Sequence, residues 1–204
     1  MAKIDFKKDL RHLYSASAKE VLFITVPKLN FLMLDGSGDP NKSERYAEAI
    51  EALFAVSYAL KFKIKKSRGG LDYAVMPLEG LWWSDDPDDF SSDDRSKWQW
   101  TAMIMQPDLV TRSLFEETLP EVQKKKKLEA LKEIRFESLE EESCAQIMHL
   151  GPYSEEQTTI AQLHRAIAER ACRLAGKHHE IYLSDPRKSA PEKLKTILRQ
   201  PIQE

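Results

Sequence analysis

The order of structural signals in this 204-residue chain occurs twice, and that repetition constrains the fold more than any single motif. Phe31–Leu60 reads as a strand, a Gly/Pro turn, a capped helix and a return to strand; Gln146–Leu183 follows the same order. The residue-by-residue match is weak, but the shared order predicts an α+β fold made of duplicated βαββ-type units. The expected organisation is a single domain of two pseudo-symmetric halves, about 20–108 and 109–204, framing a central ligand cleft.

The elements follow from local chemistry. Glu20–Gly36 is rich in large apolar and β-branched residues and is broken at Pro27-Lys28, which suits two short strands or one bent strand. Asn41 reads as a helix N-cap with Glu44 as its capping-box partner. Tyr46, Ala49, Ile50, Leu53, Val56 and Leu60 then recur at three-and-four spacing, predicting a helix over Ser43–Phe62. Asp72–Leu81 and Trp98–Gln106 read as strands on either side of a loop, Trp82–Ser96, and Thr111 caps a short helix toward Pro120. Two strands, Glu133–Leu139 and Cys144–Leu150, are joined by an acidic turn. Ser154 with Gln157 forms a second capping box, and a stripe of Ile160, Leu163, Ile167, Ala171 and Leu174 runs to Gly176 at the expected C′ position. His178–Leu183 reads as a strand, and Pro191 as the opening of a last helix, Glu192–Arg199.

Charge and hydropathy exclude several classes. Lys and Arg total 31 against 33 Asp and Glu, so no basic field favours nucleic acid as a partner. The apolar-rich run Val21–Val26 is far short of the ~20 residues a membrane helix needs, and Met1–Leu10 is charged, without a signal core. A cytoplasmic protein is expected, with Cys144 and Cys172 as thiols of a reducing compartment. Oligomeric state leaves no mark on the sequence. There is no Walker loop, GxGxxG or GxSxG. The run Asp85–Asp94 lacks the spacing of a calcium loop and reads as solvated, as does Lys124–Lys127. His178-His179 has no third ligand at suggestive spacing, so no metal is expected.

Candidate chemistry concentrates in a few places. On the strand His178–Leu183, Ile181 and Leu183 fall on one face, expected toward the helices, and Glu180 and Tyr182 on the other. A carboxylate beside a phenol on a cleft face can activate water and donate a proton; the alternative is a wet strand face with an incidental acid. All four tryptophans lie between positions 82 and 100. Tyr73, Trp82, Trp98, Trp100 and Tyr153, with Met105 as adaptable filler, can wall a flat apolar ligand or simply pack a core. Glu79, entering the Trp82-Trp83 segment, is a candidate cation partner or base, or else a surface charge. His149, at the end of an apolar strand, is a candidate ligand contact or a hydrogen-bonded structural residue.

Several segments carry a resemblance. Pro77–Trp82 (PLEGLW), Trp98–Asp108 (WQWTAMIMQPD), His149–Tyr153 (HLGPY) and His179–Pro201 (HEIYLSDPRKSAPEKLKTILRQP) are similar to the stand-alone GyrI-like small-molecule-binding proteins, from about Asp5 to the end of the chain. The resemblance implies two βαββ-type units around a cleft, as in the effector domains of multidrug-responsive transcription regulators. It also implies kinship with cyclopropanoid cyclopropyl hydrolases, which open the strained ring of DNA-alkylating compounds with water. Glu180 matches the family's cleft glutamate, and Tyr182 follows it in the same motif. No DNA-binding module like the regulators' is expected. The expected function is therefore a hydrolase, without cofactor or metal, acting on flat aromatic electrophilic cyclopropanes. In that expectation Glu180 deprotonates water, and Tyr182 orients Glu180 or protonates the dienone oxygen. The alternative is a module that binds and sequesters flat, cationic aromatic drugs without turnover.

Overall fold

The computed structural model describes residues 3–85 and 95–204. In chain order the helices are α1 (Phe6–Asp9), α2 (Arg11–Tyr14), α3 (Glu44–Lys66), α4 (Arg112–Lys125) and α5 (Glu156–Glu169). The strands are β1 (Leu22–Val26), β2 (Leu29–Ser37), β3 (Leu78–Trp83), β4 (Gln99–Gln106), β5 (Arg135–Leu139), β6 (Glu142–Leu150), β7 (Arg173–Leu174), β8 (His178–Tyr182) and β9 (Lys195–Gln203). Every strand pair described here is antiparallel, and the architecture is α+β. Among the described residues no helix is long and apolar enough to cross a membrane. Of the acidic run Asp85–Asp94, residues 86–94 lie outside the described residues.

The chain forms two compact units that interleave rather than dividing at one point. The first comprises Met1–Phe6, Leu29–Leu78 and Trp83–Leu139; the second comprises Lys7–Lys28, Glu79–Trp82 and Glu140–Glu204.

In the first unit β2 pairs with both β4 and β5, and α3 packs on β2 and β4. The helix face that packs is the expected one: Ala49, Ala52, Leu53, Val56 and Leu60 are buried. Its cap is not. Ser43, not Asn41, accepts the N-terminal hydrogen bond, from the Tyr46 amide at 3.2 Å. Asn41 is held instead by the Asp39 carboxylate, which accepts from its backbone and side chain and keeps it in the preceding turn. Thr111 caps α4 as expected, and that helix runs on through Pro120 to Lys125. The strand expected over Asp72–Leu81 begins only at Leu78, after Pro77, and it takes in Trp82 and Trp83, which the sequence placed in a loop. Proline has no N–H to give a ladder, so the strand starts behind it.

The second unit carries the sheet order β1-β6-β9-β8-β3, with β7 also on β9. Helix α5 packs on β6 and β9, burying Leu163 and Ile167 against Ala145, Ile147 and Leu198. The largest departure from expectation is β9. Residues 192–199, expected as a helix, are a single 3₁₀ turn (Pro191–Lys193) and then the strand that pairs with β6 on one side and β8 on the other. A pairing site on both edges outweighs local helix propensity. The capping box at Ser154 does not form either. Tyr153–Glu155 makes a 3₁₀ turn, and α5 starts at Glu156 without a side-chain cap.

Helix α5 ends before the Ala171–Gly176 stretch that was expected to extend it. The Cys172 amide bonds the Ile167 carbonyl at 3.2 Å and the Ala171 amide bonds the Ala168 carbonyl at 2.9 Å, the bond pair of a Schellman motif. The left-handed position in it is Ala171, at φ 57°, where a side chain is strained and glycine is not. Ala171→Gly is expected to stabilise the protein by about 1 kcal/mol, a rise in melting temperature of about 2–4 °C by calorimetry. An unchanged or lower melting temperature would contradict this cap.

Candidate functional site

The site is built on β8. His179 and Ile181 project to one face of the second unit's sheet; His178, Glu180 and Tyr182 project to the other. Across the ladder Gly80 stands opposite Glu180 and Trp82 opposite His178, while Glu79 pairs with Ile181 and Leu81 with His179. The alternation within the strand is the expected one, but its orientation is reversed. Glu180 pairs with Leu198, which belongs to the core under α5, so Glu180 and Tyr182 lie on the helix side of the sheet. Here β6 and β9 supply the apolar contacts to the helix, and the margin at β8 and β3 is left for polar groups.

On that face four side chains form a chain of contacts. The Trp82 indole Nε1 donates to the Tyr182 hydroxyl at 3.1 Å, and the Tyr182 hydroxyl donates to Glu180 Oε2 at 2.7 Å. The indole can lie back along β3 because Gly80 has no side chain; a Cβ there would be 2.7 Å from Trp82 Nε1. The same absence leaves the ladder position opposite Glu180 without a side chain of its own. Tyr153, from the turn before α5, meets the Tyr182 ring edge-on at 5.6 Å. Burial, with Glu156, Glu180 and Asp185 nearby, pushes the Tyr153 phenol up to about 12, so it remains protonated at neutral pH. Glu180 is 8% exposed, and His178 Nε2 lies 3.7 Å from its Oε1. Burial and the nearby His164 and His179 hold His178 down at about 3, a neutral imidazole.

The opposite face carries a buried ionic network. His179 Nε2 is 2.9 Å from Glu79, and its Nδ1 is 3.0 Å from Glu141 Oε2. A carboxylate on each ring nitrogen calls for an N–H on both, hence an imidazolium. Burial alone would depress His179; the charge of Glu141 and hydrogen bonds to Glu141 and Glu79 outweigh it and raise the group to about 9. Burial likewise works against ionised Glu141, but His179 and Arg199 bring it down to about 2. Arg199, 1% exposed, also bonds the Gln146 carboxamide and the Leu13 carbonyl. Tyr14 closes the network by donating to Glu79 at 2.8 Å.

The structure therefore brings together Trp82, Tyr153, Glu180 and Tyr182. Glu79, also in the second unit, is on the other face, with no exposure at all. His149 is 5% exposed and spans the turn: Nε2 meets the Pro152 carbonyl at 3.2 Å and Nδ1 the Thr159 hydroxyl at 2.9 Å. Tyr73, Trp98, Trp100 and Met105 belong to the first unit and are all buried there. Tyr73 packs edge-on to Phe6, and Trp98 lies under the Arg95 guanidinium. Trp100 fills the space over Gly36 beside Tyr46, and Met105 pairs with Phe31. Sequence reasoning missed Tyr14, Glu141 and Arg199, and it weighed His178 and His179 only as a metal pair. One signal was available: consecutive strand residues face opposite ways, so the two histidines must serve different surroundings.

Comparison with known proteins follows this geometry. The family described as GyrI-like small molecule binding domain matches residues 19–203. A crystal structure of an uncharacterized conserved protein from Listeria innocua is 42% identical over 98% of this chain and 100% of its own, at a TM-score of 0.90. Two structures from the same organism, each described as a hydrolase, are 41% and 42% identical at TM-scores of 0.84 and 0.86, each matched over its full length by 98% and 99% of this chain. The C-terminal domain of EcmrR shares the fold, with a TM-score of 0.55 at 11% identity over 91% of this chain and 98% of that one. No curated protein matches the chain.

Two expectations come from this geometry. Gly80→Ala drives the indole off Tyr182, costing about 1–3 kcal/mol and changing tryptophan fluorescence; an unaltered spectrum and stability would show that the indole does not depend on Gly80. Stability is also expected to peak near pH 6.5. His179, raised from 6.5 to about 9, contributes fully below pH 6.5 and loses its contribution as pH rises through 9. His178, lowered from 6.5 to about 3, and Glu141, lowered from 4.5 to about 2, lose theirs as pH falls below those ordinary values. Urea midpoints across pH 3–10 test this, and His179→Gln should remove the alkaline fall.

Proposed function

The chain belongs to the family of GyrI-like small molecule binding domains, and from that premise we propose that it is a hydrolase that opens electrophilic cyclopropane rings of flat aromatic compounds with water. The observation that carries this reading is the hydrogen-bonded run from Trp82 through Tyr182 to Glu180. The two hydrolases of Listeria innocua, at 41–42% identity over full length, support the reaction class. The resemblance noted in the sequence supplies the substrate class.

In this reading Glu180 takes a proton from water as the water oxygen bonds to a cyclopropane carbon. The strained carbon–carbon bond breaks, and its electron pair passes through the ring system to the dienone oxygen. That oxygen becomes a phenol on receiving the proton. Tyr182 has one hydroxyl hydrogen, and it points at Glu180 Oε2, so its part is to orient the carboxylate rather than to protonate the substrate. Trp82 fixes Tyr182 in turn and, with Tyr153, offers the aromatic surface for the ligand. Relief of ring strain and aromatisation supply the driving force, so placement and proton transfer suffice and no cofactor or metal takes part. The biological outcome is detoxification of DNA-alkylating compounds.

A second reading keeps the site and drops the chemistry: Glu180 serves as counter-ion to a cationic aromatic ligand that is bound and held. The family description, small molecule binding, favours it equally. Incubation with excess spirocyclopropane dienone, followed by chromatography and mass, separates the two. Turnover to a water adduct is expected, falling about 10²–10⁴-fold in Glu180→Gln with binding retained, and about tenfold in Tyr182→Phe. Recovery of unchanged compound after one-equivalent binding would establish the binding module instead.

A further inference from the structure

We propose that β1 is a self-pairing edge: two copies of the chain join antiparallel along Leu22–Val26, about a two-fold axis at Ile24, so that the second unit's sheet runs on from one copy into the other. The proposal does not depend on the hydrolase reading. Strand β1 ends the strand order with β6 on one side, and among the described residues no strand pairs with its other edge. A bare edge offers a row of N–H and C=O groups to another extended chain, and proteins ordinarily blunt it with charge, proline or a bulge. Here the run Val21–Val26 (VLFITV) holds no charge, Pro27 comes only after it, and its register with β6 is unbroken. The other end of the strand order, β5, is blunted: Arg135 pairs with Asp35 at 2.6 Å and with Glu137 at 2.9 Å. Pairing β1 with a second β1 about a two-fold consumes both bare edges, so assembly closes at a dimer.

Geometry restricts how this edge can meet itself. Phe23 packs on the core under α5, so Phe23 and Thr25 point to the helix side and Leu22, Ile24 and Val26 to the other. A two-fold perpendicular to the sheet keeps both copies of α5 on one side, and residues directly opposite share a face. Odd positions therefore pair with odd and even with even, which leaves registers centred on Phe23, Ile24 or Thr25. Charge selects Ile24. Glu20 and Lys28 flank the strand at equal distances from it, both are exposed, and neither enters an ion pair among the described residues. Centred on Ile24, Glu20 of each copy stands opposite Lys28 of the other, closing both ends of the ladder with opposite charges. Centred on Phe23, Glu20 faces Val26; centred on Thr25, Lys28 faces Leu22.

The same register covers what β1 exposes. Leu22, 36% exposed, comes against Val26 of the second copy, and Ile24 against its own counterpart. On the helix side Phe23, held under the Arg170 guanidinium at 4.1 Å, meets Thr25 of the second copy. Phe23 and Arg170 also line two adjoining hollows of about 370 and 420 Å³, which leave room beside the strand for incoming side chains. The larger hollow sets Glu20 and Glu169 beside Arg165 and Arg170. That balance of charge suits a copy of itself rather than a strongly acidic or basic partner. A five-residue ladder with these contacts lies at the low end of the roughly 1,200–2,000 Å² that specific interfaces bury, so dissociation is expected in the micromolar range.

The test uses the intact chain as wild type, Glu20→Lys and Lys28→Glu. Sedimentation equilibrium from about 1 μM to 1 mM is expected to show wild type passing from the mass of one chain to that of two. Each variant alone sets like charges opposite each other and is expected to dissociate about tenfold more readily; an equal mixture of the two restores opposite charges at both ends and recovers the wild-type affinity. A merely structural effect of either substitution would not be rescued by mixing. Hydrogen exchange needs no variant: alternate amides of Leu22–Val26, those on the outer edge, are expected to slow as wild-type concentration rises. A chain that stays monomeric at about 1 mM, or a dimer indifferent to both variants and with β1 exchange independent of concentration, overturns the proposal. So does an extended apolar peptide that protects β1 while the chain remains monomeric, since the edge then belongs to a different partner.

Discussion

The second unit is organised around charges that have no water. Glu79, His179, Glu141 and Arg199 come from β3, β8, the turn before β6, and β9, and each is nearly or fully buried. Two carboxylates face two cations, so the set is neutral as a whole, and each member is tolerable only while the others are in place. The network also reaches the start of the chain through the Leu13 carbonyl and the Tyr14 hydroxyl. A shift of β8 by one residue would put Glu180 or His178 among the carboxylates and turn His179 toward the core under α5, so the ions specify the register as well as the contacts.

That register is what creates the candidate site. With His179 committed behind the sheet, Glu180 must project toward α5, and Gly80 must stand opposite it. Gly80 then lets the Trp82 indole fold back to Tyr182, and Tyr182 in turn holds Glu180. A buried acid, an aromatic surface and a neutral imidazole thus occupy neighbouring positions because an ionic network on the reverse face leaves them no other. The reverse face holds a closed, charge-neutral set; the proposed site lies on the side where the polar contacts are a short chain.

Much of this was legible from local pattern. The three-and-four spacing of α3, the Thr111 cap, the Gly151-Pro152 turn and the alternation of β8 are encoded within a few residues of where they act. The errors share a cause. Asn41 lost the cap to Ser43 because Asp39 had already engaged it. Residues 192–199 became β9 because two distant strands offer them partners, and no local signal records that. Trp100, Tyr73 and Met105 are core residues of the first unit, which residue type alone does not distinguish from ligand contacts.

By itself the sequence determined that Glu180 and Tyr182 share one face of a strand and that His179 and Ile181 share the other, because a two-residue period is a property of the extended backbone. It also carried, through its motifs, the family. Only the tertiary structure decided which face meets the helix, and that Glu141, Arg199 and Tyr14 gather on His179. Those outcomes depend on contacts between segments as far apart as Leu13 and Arg199, where the free energy comes from burying groups together and no residue carries it alone.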